Sequence, residues 1–292
     1  MSAPTVTSSR AHAAPAAPRR RTRGRGKGIA ISGFTWLVGL AFFFPVFWMV
    51  LTAFKVEKDA YTDTPKVLFS PTLDQFRNVF DRGFLPYLGN SVFAAAVSTL
   101  IVLLLAVPAA YALSIRPVRK TQDVLFFFIS TKMLPVVAVI VPLYVVAGEL
   151  SLLDNIWTLI VLYTAMNLPI AVWMMRSFLL EIPKEVLEAA EVDGAPLLKL
   201  WREVMLPMVT PGLAATALIC VIFSWNEFFF AVNLTAARAG TVPVFLVGFI
   251  TSEGLFWAQL AAAATLASLP VILAGWVAQK QLVRGLSMGA IK

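Results

Sequence analysis

The chain has 292 residues, of which 59% are hydrophobic and only 14% are charged, and its formal net charge is +8. A soluble domain of this length carries roughly 25% charged residues, so the composition excludes an ordinary soluble protein and indicates a membrane protein. The single cysteine, Cys220, excludes a disulfide framework. The single histidine, His12, lies near the N-terminus, which leaves no histidine elsewhere for metal binding or acid–base chemistry.

Residues 1–28 form a basic tail of Ala, Pro, Arg and Gly with few large apolar residues. Such a segment buries too little surface to fold, so we predict that it is disordered. Seven basic residues and no acid lie between Arg10 and Lys27. The cluster from residue 19 to 25 has a composition found in nucleic-acid-binding segments, but an orientation signal attracted to anionic membrane lipid is the preferred interpretation. No nucleic-acid partner is expected.

Six apolar segments are long enough to cross a bilayer core of ~30 Å, which needs ~20 helical residues. Because lipid offers no hydrogen-bond partners, each is expected to be a helix. The predicted fold class is therefore all-α, a polytopic membrane protein whose residues 29–292 form one six-helix domain. The predicted spans are 33–54, 88–115, 124–147, 156–175, 208–234 and 255–282.

The basic residues between the spans predict the orientation. With the N-terminus inside, the inner segments hold 17 Lys and Arg and the outer segments hold six. Because cytoplasmic loops carry the excess of positive charge, both termini and the loop 181–207 are predicted to be cytoplasmic.

The longest outer segment, 55–87, contains apolar residues at positions 73, 76, 79 and 80. That spacing predicts a short amphipathic helix at the membrane interface. This helix has two possible roles: it contacts an external partner, or it packs against the ends of the spans.

Polar residues inside the spans are candidates for the translocation pathway or for contacts between subunits. Lys132 lies in the third span, where a cation costs ~2.5–3.5 kcal/mol. Three alternatives stay open for its side chain: it extends to the cytoplasmic surface, it lines the pathway, or it pairs with an acid. Pro135 and Pro142 are expected to kink that span. Asn226 and Glu227 lie in the outer half of the fifth span, where pathway lining, inter-subunit bonding and helix packing stay open; weaker candidates are Asn90, Asn155 and Asn167.

The loop 181–207 predicts a helix, a glycine turn and a second helix. Pro183 suits the first position of a helix, Gly194 suits a left-handed residue that ends it, and Pro196 starts the next. The loop holds six acids against three bases after Arg176.

Within this loop, the skeleton Glu188-Ala189-Ala190, Gly194 after three residues and Leu206-Pro207 lies between the fourth and fifth spans. It resembles the EAA motif of the membrane subunits of ABC importers. The chain from about residue 33 to 292 resembles the carbohydrate branch related to the maltose permeases. The resemblance implies the type I importer permease fold in a bacterial inner membrane.

The resemblance also implies a role for each residue of the motif. Glu188 would pair with a basic residue of an ATPase subunit, and Ala189 and Ala190 would allow close approach. Gly194, which follows Asp193, would permit the turn. The pair Leu206-Pro207 would fix the loop to the fifth span.

The sequence contains no GxxxxGK[ST] phosphate-binding loop, so the chain is not expected to be an enzyme or to hold a cofactor. The resemblance implies a dimer of separate ATPase subunits that bind ATP and Mg²⁺, a second related permease and an extracytoplasmic solute-binding protein. Stretches such as Lys132-Met133-Leu134-Pro135 are similar to those of polyol permeases, which favours mannitol or sorbitol among carbohydrates.

Two other classes of function are weighed against this hypothesis. An ion-coupled secondary transporter would show inverted repeats and several acids within the spans, whereas only Glu227 is a clear case. A membrane-embedded enzyme would need a His, Asp or Cys constellation in the spans, which the sequence lacks.

Overall fold

The computed structural model describes residues 25–289 except 63, 117, 118 and 253, and side chains between 31 and 280. The predicted tail 1–28 therefore lies mostly outside the described residues. The first helix begins at Arg25, four residues before the predicted start of the helical domain.

Helices account for most of the described chain. In order they are α1 Arg25–Ala53, α2 Glu57–Ala60, α3 Asp74–Asp81, α4 Phe84–Ser114, α5 Thr121–Met133, α6 Val136–Glu149, α7 Ile156–Leu180, α8 Lys184–Val192, α9 Leu197–Lys199, a π-helical segment Leu200–Met205, α10 Leu206–Trp225, α11 Phe229–Leu234, α12 Val242–Val247 and α13 Trp257–Gly289. A small antiparallel hairpin pairs β1, Ile250–Thr251, with β2, Gly254–Leu255, an exception that the all-α prediction did not include.

The chain divides into two compact units, residues 1–47 and 48–292. In the first, the described side chains belong to α1, and its large apolar residues are exposed, among them Trp36 and Phe42. A helix that is apolar all round and unburied suits a lipid environment.

Five helices of the described chain are long and apolar enough to cross a membrane, and α5 with α6 makes a sixth span if the bent pair is counted as one. The two helices meet at an angle of 86°. The break lies at Leu134 and Pro135, whose ψ angles of 123° are extended. Proline lacks the N–H that a continuous helix needs, which explains the break at Pro135. Pro142 lies inside α6, so of the two predicted kinks only the first becomes a break.

The fifth span was predicted as one segment, 208–234, and that prediction is wrong. The helix starts earlier, because α9, the π-helical segment and α10 run on from Leu197 to Trp225. It then stops, and α11 begins at Phe229. The carboxylate of Glu227 binds backbone N–H groups of α11, and this local bonding competes with continuation of α10.

The predicted interfacial helix is present as α3, but its buried face differs from the predicted one. Gln75 and Val79 are buried, whereas Leu73 and Phe80 are 67% and 43% exposed. The amide of Gln75 donates to the carbonyl of Lys55 at 3.1 Å. Val79 joins the apolar cluster of the span ends, so α3 packs against the spans.

The centre of the second unit is formed by α4, α7 and α10. Small residues line these contacts and let the helix backbones approach closely. Fully buried examples are Ala94, Ala106, Ala110 and Ala171. This packed centre positions both the loop 181–207 and the polar residues of the spans.

Candidate functional site

The loop 181–207 folds as a helical knob, a name used below for these residues. Its first helix, α8, starts after Pro183, which is the N-cap rather than the first helical residue. Gly194 has φ +67° and ends the helix in the left-handed region, as predicted from its position. Pro196 is the N-cap of α9, and the chain continues as a helix into α10.

The knob is anchored to the spans by an apolar cluster. Leu200 and Met205 of the π-helical segment are buried, and the ring of Trp201 lies 5.3 Å from that of Tyr111 on α4. The other buried members come from α4, α7, the start of the loop and α10: Ala110, Met175, Leu179, Ile182 and Val209. The cluster thus connects the knob to α4, α7 and α10.

The side of the knob away from this cluster is open. Glu188, Ala189 and Asp193 are exposed, and Ala190 packs partly against the anchoring cluster. The backbone N–H of Asp193 caps α8 by donating to the carbonyl of Ala189. The open surface also carries large apolar side chains, at Val192, Leu197 and Leu198.

Leu206 and Pro207 are exposed at the start of α10. The buried contacts in this stretch are made by Met205 and Val209 instead. The expectation that Leu206 and Pro207 fix the loop to the fifth span is therefore wrong at the level of side-chain packing. The sequence analysis did not identify Met205 and Val209, because the apolar character of a helical residue does not show which neighbouring helix it contacts.

Lys132 lies in the last turn of α5 and its ammonium donates to the carbonyl of Met166 on α7 at 2.9 Å. It also lies 6.0 Å from the ring centroid of Phe223 on α10. In the part of the chain that the structure describes, Lys132 forms no ion pair with a carboxylate.

Asn226 and Glu227 follow α10 and have different surroundings. Asn226 is exposed, and its amide donates to the carbonyl of Ile222 at 2.8 Å. Glu227 is buried, and its carboxylate accepts from the N–H groups of Phe230 and Ala231 at 2.8 and 3.3 Å. Glu227 therefore holds the break between α10 and α11, and Asn226 is the residue of this pair that is open to a ligand.

No group of His, Cys, Asp or Glu side chains among the described residues is arranged to hold a metal ion.

Residues 102–288 match the family described as the binding-protein-dependent transport system inner membrane component. A probable ABC transporter permease of Sinorhizobium fredii is 37% identical over 89% of this chain and 94% of its own length. The chain belongs to this family. It is thus an integral membrane permease subunit of a binding-protein-dependent ABC importer.

A further relative supports this assignment, and a solved structure shows the same fold. The trehalose/maltose transport system permease MalG of Thermococcus litoralis is 31% identical to the permease over 88% of this chain and 94% of its own length. A subunit of a bacterial ABC transporter involved in the import of the acidic polysaccharide alginate has the same fold. Its TM-score is 0.71 at 22% identity, and the match covers 91% of the permease and 100% of that chain.

The permease also contains a carboxylate clamp that the sequence did not reveal. Asp154, in the turn between α6 and α7, accepts hydrogen bonds of 2.9–3.1 Å from four successive backbone N–H groups, at Ala236, Ala237, Arg238 and Ala239. Burial raises the pKa of the Asp154 carboxyl, but the four donors outweigh burial and hold the pKa below its ordinary value. Asp154 itself has φ +53°, a conformation that Asp tolerates better than most residues.

The three weaker asparagine candidates have structural partners. Asn90 on α4 donates to the carbonyls of Arg238 and Gly240, so it holds the same loop as Asp154. Asn155 caps α7, because its side-chain oxygen accepts from the N–H of Trp157 at 3.0 Å. Asn167 is fully buried and donates to the hydroxyl of Ser224 at 2.9 Å.

Proposed function

We propose that the permease serves an ATP-driven carbohydrate importer, forms the pathway together with a second permease, and is coupled to separate ATPase subunits through the knob. ATP and Mg²⁺ would bind to those ATPase subunits and not to this chain. The observation that carries the proposal is the geometry of the knob, an open helix-turn-helix fixed to α4, α7 and α10 by a buried cluster.

The surface of the knob suits a protein partner. Val192 and Leu198 are 88% and 80% exposed, although the loop lies outside the apolar part of the spans. Exposed apolar side chains beside acids are typical of a docking surface. Glu188 stands on this surface, where it would meet a basic residue of the ATPase.

Carbohydrate is the substrate class favoured by the relatives. The named substrates of MalG from Thermococcus litoralis are trehalose and maltose, and those of a further relative from Streptomyces coelicolor include diacetylchitobiose. Within this class the Lys132-Met133-Leu134-Pro135 stretch favours a polyol such as mannitol or sorbitol. Solute would arrive from an extracytoplasmic binding protein.

The charge pairing of Glu188 is tested by Glu188→Lys, which reverses one charge at the open surface. We expect much less ATPase to co-purify with the tagged variant, while the amount of permease in the membrane stays unchanged. Glu185→Lys is the matched control, because Glu185 is exposed on the same helix and lies outside the motif. Equal recovery of ATPase with both variants would remove the proposed pairing.

The turn is tested by Gly194→Val. No atom lies within 4 Å of an added Cβ, so the penalty comes from φ alone, about 1–2 kcal/mol for a left-handed residue. Gly194→Asn is the control, since Asn tolerates this conformation. We expect Val to abolish substrate-stimulated ATP hydrolysis and Asn to retain most of it. Normal coupling in the Val variant would show that the turn is not needed.

A further inference from the structure

A cation and an aromatic ring lie 6.0 Å apart beside the break in the third span, and a carboxamide follows the ring by one helical turn. Lys132 is the last residue but one of α5, and Phe223 and Asn226 are one turn apart at the end of α10. All three side chains are exposed, Phe223 by 41%. These three residues are named the Lys132 patch.

The patch is held in place by buried hydrogen bonds behind it. Ser224, next to Phe223, accepts from the amide of Asn167 at 2.9 Å and lies 3.2 Å from the hydroxyl of Ser98. Asn167 in turn follows Met166, whose carbonyl binds Lys132. Helices α4, α5, α7 and α10 are thus locked at this level, which fixes the patch before any ligand arrives.

Two independent features indicate that the patch faces water. No carboxylate of the described residues pairs with Lys132, and an unpaired cation that faced lipid would be costly. Leu134 and Pro135, where the backbone is not helical, are also exposed residues. Irregular backbone at membrane depth is tolerated where it lines a water-filled cavity or is buried in protein.

We propose that the Lys132 patch is a substrate-binding site on this subunit, and that it takes a polyhydroxylated ligand, a sugar or polyol. The carbon face of the ligand would stack on Phe223. Its hydroxyl oxygens would accept from the amide of Asn226 and from the N–H groups of Lys132 that Met166 leaves free. The choice of ligand class rests on the proposed function, whereas the access of water does not.

Water access is tested in the complete transporter in proteoliposomes, after Cys220→Ala removes the single thiol of this chain, and labelling is read on the separated permease subunit. Phe223→Cys is compared with Phe127→Cys for its reaction with the charged reagent 2-sulfonatoethyl methanethiosulfonate. Phe127 is 64% exposed on α5 but lies about 140° around the helix from Lys132. We expect Phe223→Cys to react at least about tenfold faster, because the reactive thiolate forms in water and not in lipid. Equal rates would overturn the proposal, whether lipid or the second permease covers the patch.

The ligand class is tested by protection of Ile129→Cys with trehalose, maltose, mannitol and sorbitol. Ile129 is exposed on α5 one turn before Lys132, and its replacement keeps all three side chains of the patch. We expect at least one to slow the labelling. Protection by none would overturn the ligand class and leave the evidence for water access intact. For the protecting compound, Lys132→Met should raise KM for uptake by about tenfold with little change in kcat, a loss of about 1.4 kcal/mol, and Lys132→Arg should restore it. An unchanged KM would remove Lys132 from the ligand contact.

These outcomes are separable from failure of the proposed coupling. If Glu188→Lys leaves the ATPase bound, but Phe223→Cys is accessible and Ile129→Cys is protected, the patch stands and the knob hypothesis falls. The opposite result preserves the knob and discards the patch.

Discussion

Short polar side chains secure the irregular parts of this membrane protein. Asp154 and Asn90 hold the loop that follows α11, Ser91 accepts from the N–H of Val242, and Glu57 accepts from the first N–H groups of α13. Glu227 does the same for α11. Near a membrane each unsatisfied backbone group is expensive, so these bonds determine where the chain can leave a helix.

Asp154→Ala is expected to lower the thermal stability of the permease in detergent. The variant leaves four backbone donors without their carboxylate, and a hydrogen bond to a charged group contributes about 1.5–3 kcal/mol. Asp154→Asn retains an acceptor and the left-handed conformation, so its loss should be smaller. Fluorescence-detected size-exclusion chromatography after heating measures both. Equal melting temperatures for the wild type and the Ala variant would show that the clamp adds no stability.

The same clamp predicts a dependence on pH. The folded pKa of Asp154 is lowered, so its contribution is complete above the ordinary Asp pKa of about 3.9 and is lost as the pH falls through the folded value. The difference in melting temperature between the wild type and Asp154→Ala should therefore be constant from pH 8 to about pH 5 and shrink only in stronger acid. A difference that disappears near neutral pH would contradict a lowered pKa.

Helices α7 and α10 approach closely at Gly212, where the ring of Phe178 occupies the space of a Cβ. Gly212→Ala should therefore destabilise the permease by about 1–3 kcal/mol, the usual cost of overpacking. Gly275→Ala is the control, since Gly275 lies in α13 with no atom within 4 Å of its added Cβ. That variant should be neutral or more stable because Ala favours a helix. Similar melting temperatures for the two variants would argue against the close approach.

Structural features that depend on one glycine or proline were predicted from the sequence. Gly194 and Pro196 were sufficient for the turn of the knob, and Pro135 for the break in the third span. The stop of α10 before Glu227 was not predicted, because the apolar run continues to residue 234. The helix stops there because the Glu227 carboxylate binds a backbone N–H of α11, and a hydropathy profile does not reveal such a hydrogen bond.

Contacts between helices were the least predictable part of the candidate site. Lys132 was identified from its charge, but its partners Met166 and Phe223 lie far along the chain and depend on how α5, α7 and α10 are rotated. The knob motif was recognised as a pattern, yet its anchors, Met205 and Val209, are ordinary apolar residues. Periodicity alone does not assign such residues to a neighbour.

The orientation of the complete chain remains a prediction from the 17 inner and six outer basic residues. With both ends in the cytoplasm, green fluorescent protein fused after Lys292 should fluoresce and alkaline phosphatase fused there should be inactive. Phosphatase inserted after Lys66, in the outer segment 55–87, should be active. The reverse pattern would place the knob outside, away from ATP.

The π-helical segment at Leu200–Met205 should tolerate the deletion of one residue. Its i→i+5 bonds accommodate one residue more than a regular α-helix of the same rise. Deletion of one residue there can be absorbed by a return to i→i+4 bonding, so the knob keeps its direction. A one-residue deletion within α10 cannot be absorbed in this way, because its bonds are already i→i+4. It would rotate the knob by about 100° relative to the part of α10 beyond the deletion. Single-residue gaps should therefore be tolerated in the segment that joins the knob to the membrane and rejected a few turns further on.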